Sequence, residues 1–453
     1  MIRLPSRDPG GAGQTSATRT AAQSMLAAVP DPLAAELRDA RARTLLLVRD
    51  LDDGQWMGPR LSIVNPMLWE VGHLGWFQEF WTLRHARGRR PMLPDGDELY
   101  DSAKVAHDTR WDLPLLTRPA VLAYLERVLG ASLEALGTQP DPGAYFHRLA
   151  IFHEDMHDEA FTYTRQTLGY PAPAFPAGGP APGGGPLPGD VEVPGGKFLL
   201  GATGDEPFVF DNEKWGHHVE VAPFQMARAP VTNEEFAAFV EDGGYREERH
   251  WSEAGWRWRS QAGAENPVYW HRQAGGGWLV RRFATLGPLA AHEPVIHVCW
   301  FEAEAYCRWA ERRLPTEAEW ELAAATSGKR RFPWGDDPPD EIRANLDGRA
   351  GGPVDVGCHP AGDSLYGCRQ MIGNVWEWTA SDFQPYPGFV VDPYKEYSEP
   401  WFATPHKVLR GGCWATRGRL LRNTWRNFYP PDRRDVLAGF RTCAAKARAP
   451  RAR

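Results

Sequence analysis

Long apolar runs are missing from this 453-residue chain. No stretch approaches the roughly 20 residues a membrane-spanning helix needs, which excludes a helical membrane protein. The start, Met1-Ile2-Arg3-Leu4-Pro5-Ser6-Arg7-Asp8, has no apolar signal core, so a cytoplasmic location is expected rather than secretion. An excess of positive charge is missing too. With 51 Lys and Arg against 58 Asp and Glu, the formal charge of −7 argues against nucleic acid or an anionic membrane as partner. Cysteine is scarce. The six (Cys299, Cys307, Cys358, Cys368, Cys413 and Cys443) include no Cys-x-x-Cys pair, so neither a zinc ribbon nor a dithiol redox motif is signalled. What is left is an ordinary globular composition, 42% apolar and 24% charged, long enough for about two or three domains.

Tryptophan divides the chain: five of the 20 precede residue 190 and fifteen follow it. Residues 171–190, PAPAFPAGGPAPGGGPLPGD, read as a semi-extended linker in which no packed element can form. Ahead of it, four stretches carry apolar residues at helical spacing. They are 31–51 (Leu33, Leu37, Leu45, Leu46), 66–84 with Pro66 at a first turn, 119–136 and 145–167. Four amphipathic helices over 29–170 predict a helical bundle, whose sites lie between facing helices. After the linker, short apolar runs at 191–193, 198–200 and 219–221 alternate with turns. Helices are expected at 233–241, 300–312 and 316–325, the last opened by a Thr316/Glu319 capping box. Residues 191–446 therefore read as a loop-rich α+β domain suited to forming a pocket wall. Short tails, 1–28 and 447–453, flank the two units.

The most informative segment is His153-Glu154-Asp155-Met156-His157-Asp158-Glu159. His153 and His157 stand four residues apart, so on a helix they share one face and can bind one metal. His73 lies on the inward stripe of an earlier helix, in register with Trp69, Phe77 and Phe80, where a buried imidazole must find a partner. It is either a hydrogen-bonded core residue or the third ligand of a facial set. Glu159 reads as a second-shell acceptor or as a solvated helix residue. Residues 153–157 also spell H-E-x-x-H, the zinc-protease motif, but the chain runs almost directly into the linker, leaving little room for that motif's downstream ligand.

With these residues in view, the chain resembles the nonheme-iron sulfoxide synthases of ergothioneine and ovothiol biosynthesis. In that family a DinB-like bundle supplies His-x3-His-x-Glu and an earlier histidine, matched by His153, His157, Glu159 and His73. The second domain there has the formylglycine-generating-enzyme fold, related to C-type lectins. Its phrases stand here as Arg313-Leu314-Pro315-Thr316-Glu317-Ala318-Glu319-Trp320-Glu321, Gly373-Asn374-Val375-Trp376-Glu377-Trp378, Arg410-Gly411-Gly412-Cys413-Trp414 and Gly439-Phe440-Arg441. Cys413 and Cys443 do not reproduce the cysteine pair of a true formylglycine-generating enzyme, which disfavours that activity. Trp320, Trp376 and Trp378 are expected as core anchors, and Asn374 and Glu377 as partners of buried loop amides.

The resemblance implies an enzyme that uses Fe(II), with O2 as co-substrate, to join a chalcogen donor to the imidazole carbon of hercynine (Nα-trimethylhistidine). Aromatic faces suit the quaternary cation. The segment Trp425–Arg434 offers them, and the resemblance assigns Asn427 and Phe428 to hercynine and Tyr429 and Arg433 to the donor. One of Tyr386, Tyr394 and Tyr397 is implied as proton donor. Enzymes using γ-glutamylcysteine carry an acidic residue where Tyr429 stands. They also carry donor-gripping arginines where this chain reads Tyr100-Asp101-Ser102-Ala103-Lys104-Val105-Ala106-His107-Asp108-Thr109-Arg110-Trp111. That string resembles the branch that makes selenoneine from a selenosugar. The resemblance thus implies a sugar contact among Asp101, Ser102, Lys104, His107, Arg110 and Trp111, and a selenosugar-synthesising enzyme upstream. A sulfoxide synthase using γ-glutamylcysteine or cysteine, a zinc hydrolase and a non-catalytic binding module are the competing readings.

Overall fold

The computed structural model of the protein describes residues 32–136, 144–176 and 183–445. The expected tails, and residue 31 of the first helix, lie outside the described residues. The bundle is built from α1 (Pro32–Val48), α2 (Asp53–Met57), α3 (Met67–Glu79), α4 (Gly96–Tyr100), α5 (Arg118–Leu136) and α6 (Tyr145–Leu168). The four long helices fall where the periodicity put them; α2 and α4, five residues each, are too short to show a period. α1 packs along α6, and α3 packs along α5 and α6. α3 is apolar on nearly every side and is buried along its length apart from Leu68, so it is the bundle's central element. It runs on into a π-helical turn, Phe80–His85. α6 ends at Gly169, whose left-handed φ of 66° lets its N–H bond back to the carbonyls of Arg165 and Gln166.

Two glycines on α3 decide how close its neighbours come. A Cβ on Gly72 would sit 2.2 Å from the Tyr100 ring, and one on Gly75 2.9 Å from Tyr124. Their absence lets two buried tyrosines lie directly on the helix backbone.

The second unit contains β1 (Asp190–Val193), β2 (Gly196–Leu200), β3 (His217–Val221), β4 (Phe224–Ala227), α7 (Asn233–Glu241), α8 (Glu253–Ala262), β5 (Trp270–Arg272), β6 (Trp278–Arg282), β7 (Thr285–Pro288), α9 (Trp300–Trp309), β8 (Arg312–Arg313), α10 (Glu317–Ala325), β9 (Trp376–Asp382), β10 (Lys407–Arg410), β11 (Asn427–Tyr429), β12 (Ala438–Gly439) and β13 (Cys443–Ala444). Its sheets are small: β1-β4-β13-β8, β11-β10-β9-β12, the pair β2-β3 and the meander β5-β6-β7. α10 opens with the expected Thr316/Glu319 capping box. α8 and the meander are elements that the pattern did not show.

Buried ion pairs knit the irregular segments. Arg410 reaches Glu317 and Glu321, Arg426 reaches Glu317, and Arg441 forks onto Glu377, which also accepts from the Trp320 indole at 2.7 Å. Asn374, at a left-handed φ of 67°, accepts from the Val354 amide and donates to the Val354 carbonyl. Glu377 and Asn374 therefore hold the fold, and Trp320, Trp376 and Trp378 are fully buried. Phe175 in the linker packs against Trp414 and under the Arg43 guanidinium.

Candidate metal centre

α3 and α6 face each other, and this brings His73, His153 and His157 together, with one ligand nitrogen from each within 4.8 Å of the others. His73 Nδ1 lies 2.7 Å from the Tyr100 carbonyl, an acceptor only, so Nδ1 carries the proton and Nε2 is left with a free lone pair. That Nε2 lies 3.3 Å from His153 Nε2. His157 Nδ1 lies 2.6 Å from Glu70 Oε1, which frees its Nε2 in the same way. Rings hold the imidazoles in place. His153 stacks on Phe77 with centroids 3.5 Å apart and planes 2° apart, and His73 stacks on Trp69 at 5.0 Å. Arg110 covers the Trp69 ring at 3.7 Å.

Burial, and the charge of neighbouring imidazoles, hold His73 and His153 well below the ordinary histidine range. Both are therefore neutral bases at pH 7. The His157 side chain keeps 21% of its surface exposed, so the cluster is open on that side. Three imidazole nitrogens that converge on one point, with His73 held by the Tyr100 carbonyl and His157 by Glu70, are a donor set for a first-row divalent metal, with room for further ligands.

Two expectations need correction. Glu159 does not contact the histidines: it is buried and accepts from the Trp376 indole at 2.7 Å and from the Thr416 hydroxyl, tying α6 to the second unit. The carboxylate on a site histidine is Glu70, one turn ahead of His73 on the same buried helix, and that i,i+3 spacing was the available signal. The H-E-x-x-H reading fails at its general base. Glu154 is 3% exposed and locked to Arg41 and Thr44, with nothing left to activate a water.

Of the three tyrosines, Tyr394 comes nearest. Its ring meets Phe77 at 4.9 Å and His153 at 6.1 Å, and its hydroxyl bonds no described residue. Tyr397 stacks on Phe210 at 4.3 Å and turns its hydroxyl to the Met156 sulfur at 3.7 Å. Tyr386 is a correction. Its hydroxyl is sealed without a partner, its ring lies under Arg426 and against His217, and it meets none of the three histidines.

β11 presents Asn427 and Tyr429 on one face and Phe428 on the other, as strand alternation requires. Phe428 stacks on Phe383 at 3.9 Å and meets Tyr397 edge-on at 6.0 Å. Asn427 Oδ1 accepts from the Phe428 amide at 2.8 Å. Arg433 lies over the Tyr429 ring and forks onto Asp435 at 2.6 Å twice.

The 100–111 loop divides. Asp101 lies within electrostatic reach of Tyr394, and Arg110 within reach of Glu70, with burial lowering the arginine to about 10. The other four do not come to the histidines. His107 Nε2 bonds the Val64 carbonyl and Trp111 the carbonyls of Met57 and Gly58, while Ser102 is exposed and Lys104 pairs outward with Asp101. His107 and Trp111 pin the loop to the 57–64 segment.

Comparison with known proteins accords with this architecture. Residues 36–161 match the DinB superfamily, and residues 178–446 match the Sulfatase-modifying factor enzyme 1-like domain. A hercynine oxygenase of Mycobacterium tuberculosis is 44% identical over 421 residues, covering 91% of this chain and 98% of that protein. One from Mycolicibacterium thermoresistibile is 42% identical over 90% of this chain and 94% of its own. A formylglycine-generating enzyme of Streptomyces coelicolor is 33% identical over 61% of this chain and 96% of its own, so it matches little beyond the second unit. A DinB bundle followed by a sulfatase-modifying-factor domain, with such identity across nearly the whole of both chains, makes this protein an enzyme of the hercynine oxygenase family.

Proposed function

We propose that this chain is a nonheme Fe(II)- and O2-dependent enzyme that forms a carbon–selenium bond between hercynine and a selenosugar, on the way to selenoneine. The observation that carries the iron reading is the His73/His153/His157 cluster, three imidazoles with a nitrogen of each within 4.8 Å of the others. When bound there, Fe(II) supplies the one-electron chemistry by which O2 is reduced. The chain's own residues do the rest. Tyr100 and Glu70 fix the two tautomers that leave His73 Nε2 and His157 Nε2 free. Phe428 and Tyr397, which meet edge-on at 6.0 Å, offer faces to the trimethylammonium group, whose attraction to an aromatic ring needs no hydrogen bond. Tyr394, whose hydroxyl burial keeps protonated and which has no hydrogen-bond partner among the described residues, is the proton donor. Hercynine as acceptor is supported by the names of the relatives, and the selenosugar by the sequence resemblance at Tyr429 and, within the 100–111 loop, at Asp101 and Arg110.

The identity to hercynine oxygenases favours one second reading, a sulfur donor such as γ-glutamylcysteine or cysteine in the same site. Competition separates the two. Protein reconstituted anaerobically with Fe(II) is exposed to O2 with hercynine and equal selenosugar, γ-glutamylcysteine and cysteine, and adducts are read by mass spectrometry. A dominant selenium adduct is expected; a dominant sulfoxide of γ-glutamylcysteine would overturn the selenium assignment and leave the iron site standing.

A further inference from the structure

Residues 383–406 join β9 to β10 without adding a strand, and their only regular pieces are the short turns Lys395–Tyr397 and Glu399–Trp401. A connection of this length keeps one position only when bonds to the rest of the protein hold it. Tyr394 rides on it, with its ring 4.9 Å from Phe77 and 6.1 Å from His153.

Two residues ahead, Asp392 supplies such bonds. Lys214 Nζ donates to its carboxylate oxygens at 2.8 and 2.6 Å, and the Tyr145 hydroxyl donates to one of them at 3.0 Å. Lys214 belongs to the second unit, at the end of the turn 211–213. Tyr145 is the first residue of α6, the helix that carries His153 and His157. Asp392 therefore fastens the connection to both units at once, through charge-assisted bonds in a sheltered place: the Lys214 and Asp392 side chains are 17% and 20% exposed. The same turn holds the far end of the stretch. The Ser398 hydroxyl donates to Asp211, the Asn212 side-chain amide donates to Ser398 at 3.0 Å, and the Asp392 N–H reaches the second Asp211 oxygen at 3.4 Å. Asp211, Asn212 and Ser398 are buried. Only Pro393 separates Asp392 from Tyr394, and its ring fixes its own φ, so little slack lies between clamp and phenol.

Resting on the reading of Tyr394 as proton donor, we infer that Asp392 is a positioning residue: by bridging Lys214 and Tyr145 it seats Tyr394 against Phe77 and His153. Proton transfer needs the phenol within hydrogen-bond reach of the reacting atoms, and a displaced donor slows the reaction without loosening the substrates.

The test compares full-length wild type, Asp392→Asn, Tyr394→Phe and the double variant, all reconstituted with Fe(II). Each is assayed with saturating hercynine and whichever of selenosugar and γ-glutamylcysteine the wild type prefers, so donor identity does not enter. Asp392→Asn keeps the shape of the side chain and removes its charge. It is expected to lower kcat about tenfold with the donor KM unchanged. In the Tyr394→Phe background the same change is expected to cost nothing more, because two residues acting through one step are not additive. An equal loss of kcat in both backgrounds would overturn the inference. Hydrogen exchange gives a readout apart from activity: amides of 392–398 are expected to exchange about tenfold faster in Asp392→Asn, with α3 and α6 as protected as in wild type. Unaltered exchange there would equally overturn it. If Asp392→Asn does not fold, Tyr145→Phe, which removes only the bond from α6, decides by an expected rise of about fivefold in the same amides. A Tyr394→Phe protein with wild-type turnover would sink the proton-donor reading and Asp392's part in the reaction with it, while the exchange rates would still decide whether Asp392 holds the segment.

Discussion

Gly72→Ala is the substitution that most directly tests how the fold builds the candidate metal centre. In an exposed helix interior, Gly→Ala stabilises by about 1 kcal/mol through helix propensity. At Gly72 the added Cβ would meet Tyr100 Cε1 at 2.2 Å, Cζ at 2.4 Å and Cδ1 at 2.8 Å. Tyr100 is fully buried and its hydroxyl accepts from the Leu116 amide, so the ring has nowhere to retreat. Overpacking of this kind costs about 1–3 kcal/mol, which cancels or exceeds the propensity gain. The consequence at the site is specific, because the Tyr100 carbonyl that shifts is the acceptor fixing the His73 tautomer. Loss of such an outer support lowers metal affinity about 10–100-fold. Gly130→Ala, on α5 with open space around its Cβ, is the control and is expected to stabilise with metal binding unaltered. Urea unfolding and anaerobic Fe(II) titration read the two quantities. A Gly72→Ala protein as stable as the control, with wild-type Fe(II) affinity, would refute the reasoning.

Glu70→Gln is expected to weaken Fe(II) binding at least about tenfold. Glu159→Ala, which strands a buried indole N–H and a hydroxyl, is expected to cost about 2 kcal/mol of stability with Fe(II) affinity retained; titration and urea unfolding separate the two carboxylates. Tyr394→Phe is expected to lower adduct formation about 100-fold at full iron occupancy, and Tyr386→Phe to leave it unchanged, as mass spectrometry of product would register. His297, buried with Nδ1 on the Asp435 carbonyl, is held down to about 4 by burial. Below its ordinary pKa of about 6.5 the unfolded chain takes up a proton that the folded protein refuses until about pH 4, so stability falls across that window, by about 3 kcal/mol at its end. Urea midpoints at pH 7 and pH 5 are expected to differ less in His297→Asn than in wild type.

What the sequence determined by itself was whatever repeats or sits locally. Helical periodicity placed α1, α3, α5 and α6, the i,i+4 spacing put His153 and His157 on one face, and the capping box opened α10. In the second unit the pattern marked α7, α9 and α10 but not α8, which buries only Gly255, nor the β5–β7 meander, which has no fully buried face. Only the tertiary structure decided partners. Glu159 and Glu70 are both glutamates near a histidine in sequence, yet helix rotation turns one to Trp376 and Thr416 and packing lays the other on His157. Tyr386, Tyr394 and Tyr397 look alike along the chain, and the path of the loop between β9 and β10 buries the first and brings the second to Phe77 and His153. Spacing along one helix fixes direction, whereas contact between segments far apart in sequence is set by long-range packing that no local pattern encodes.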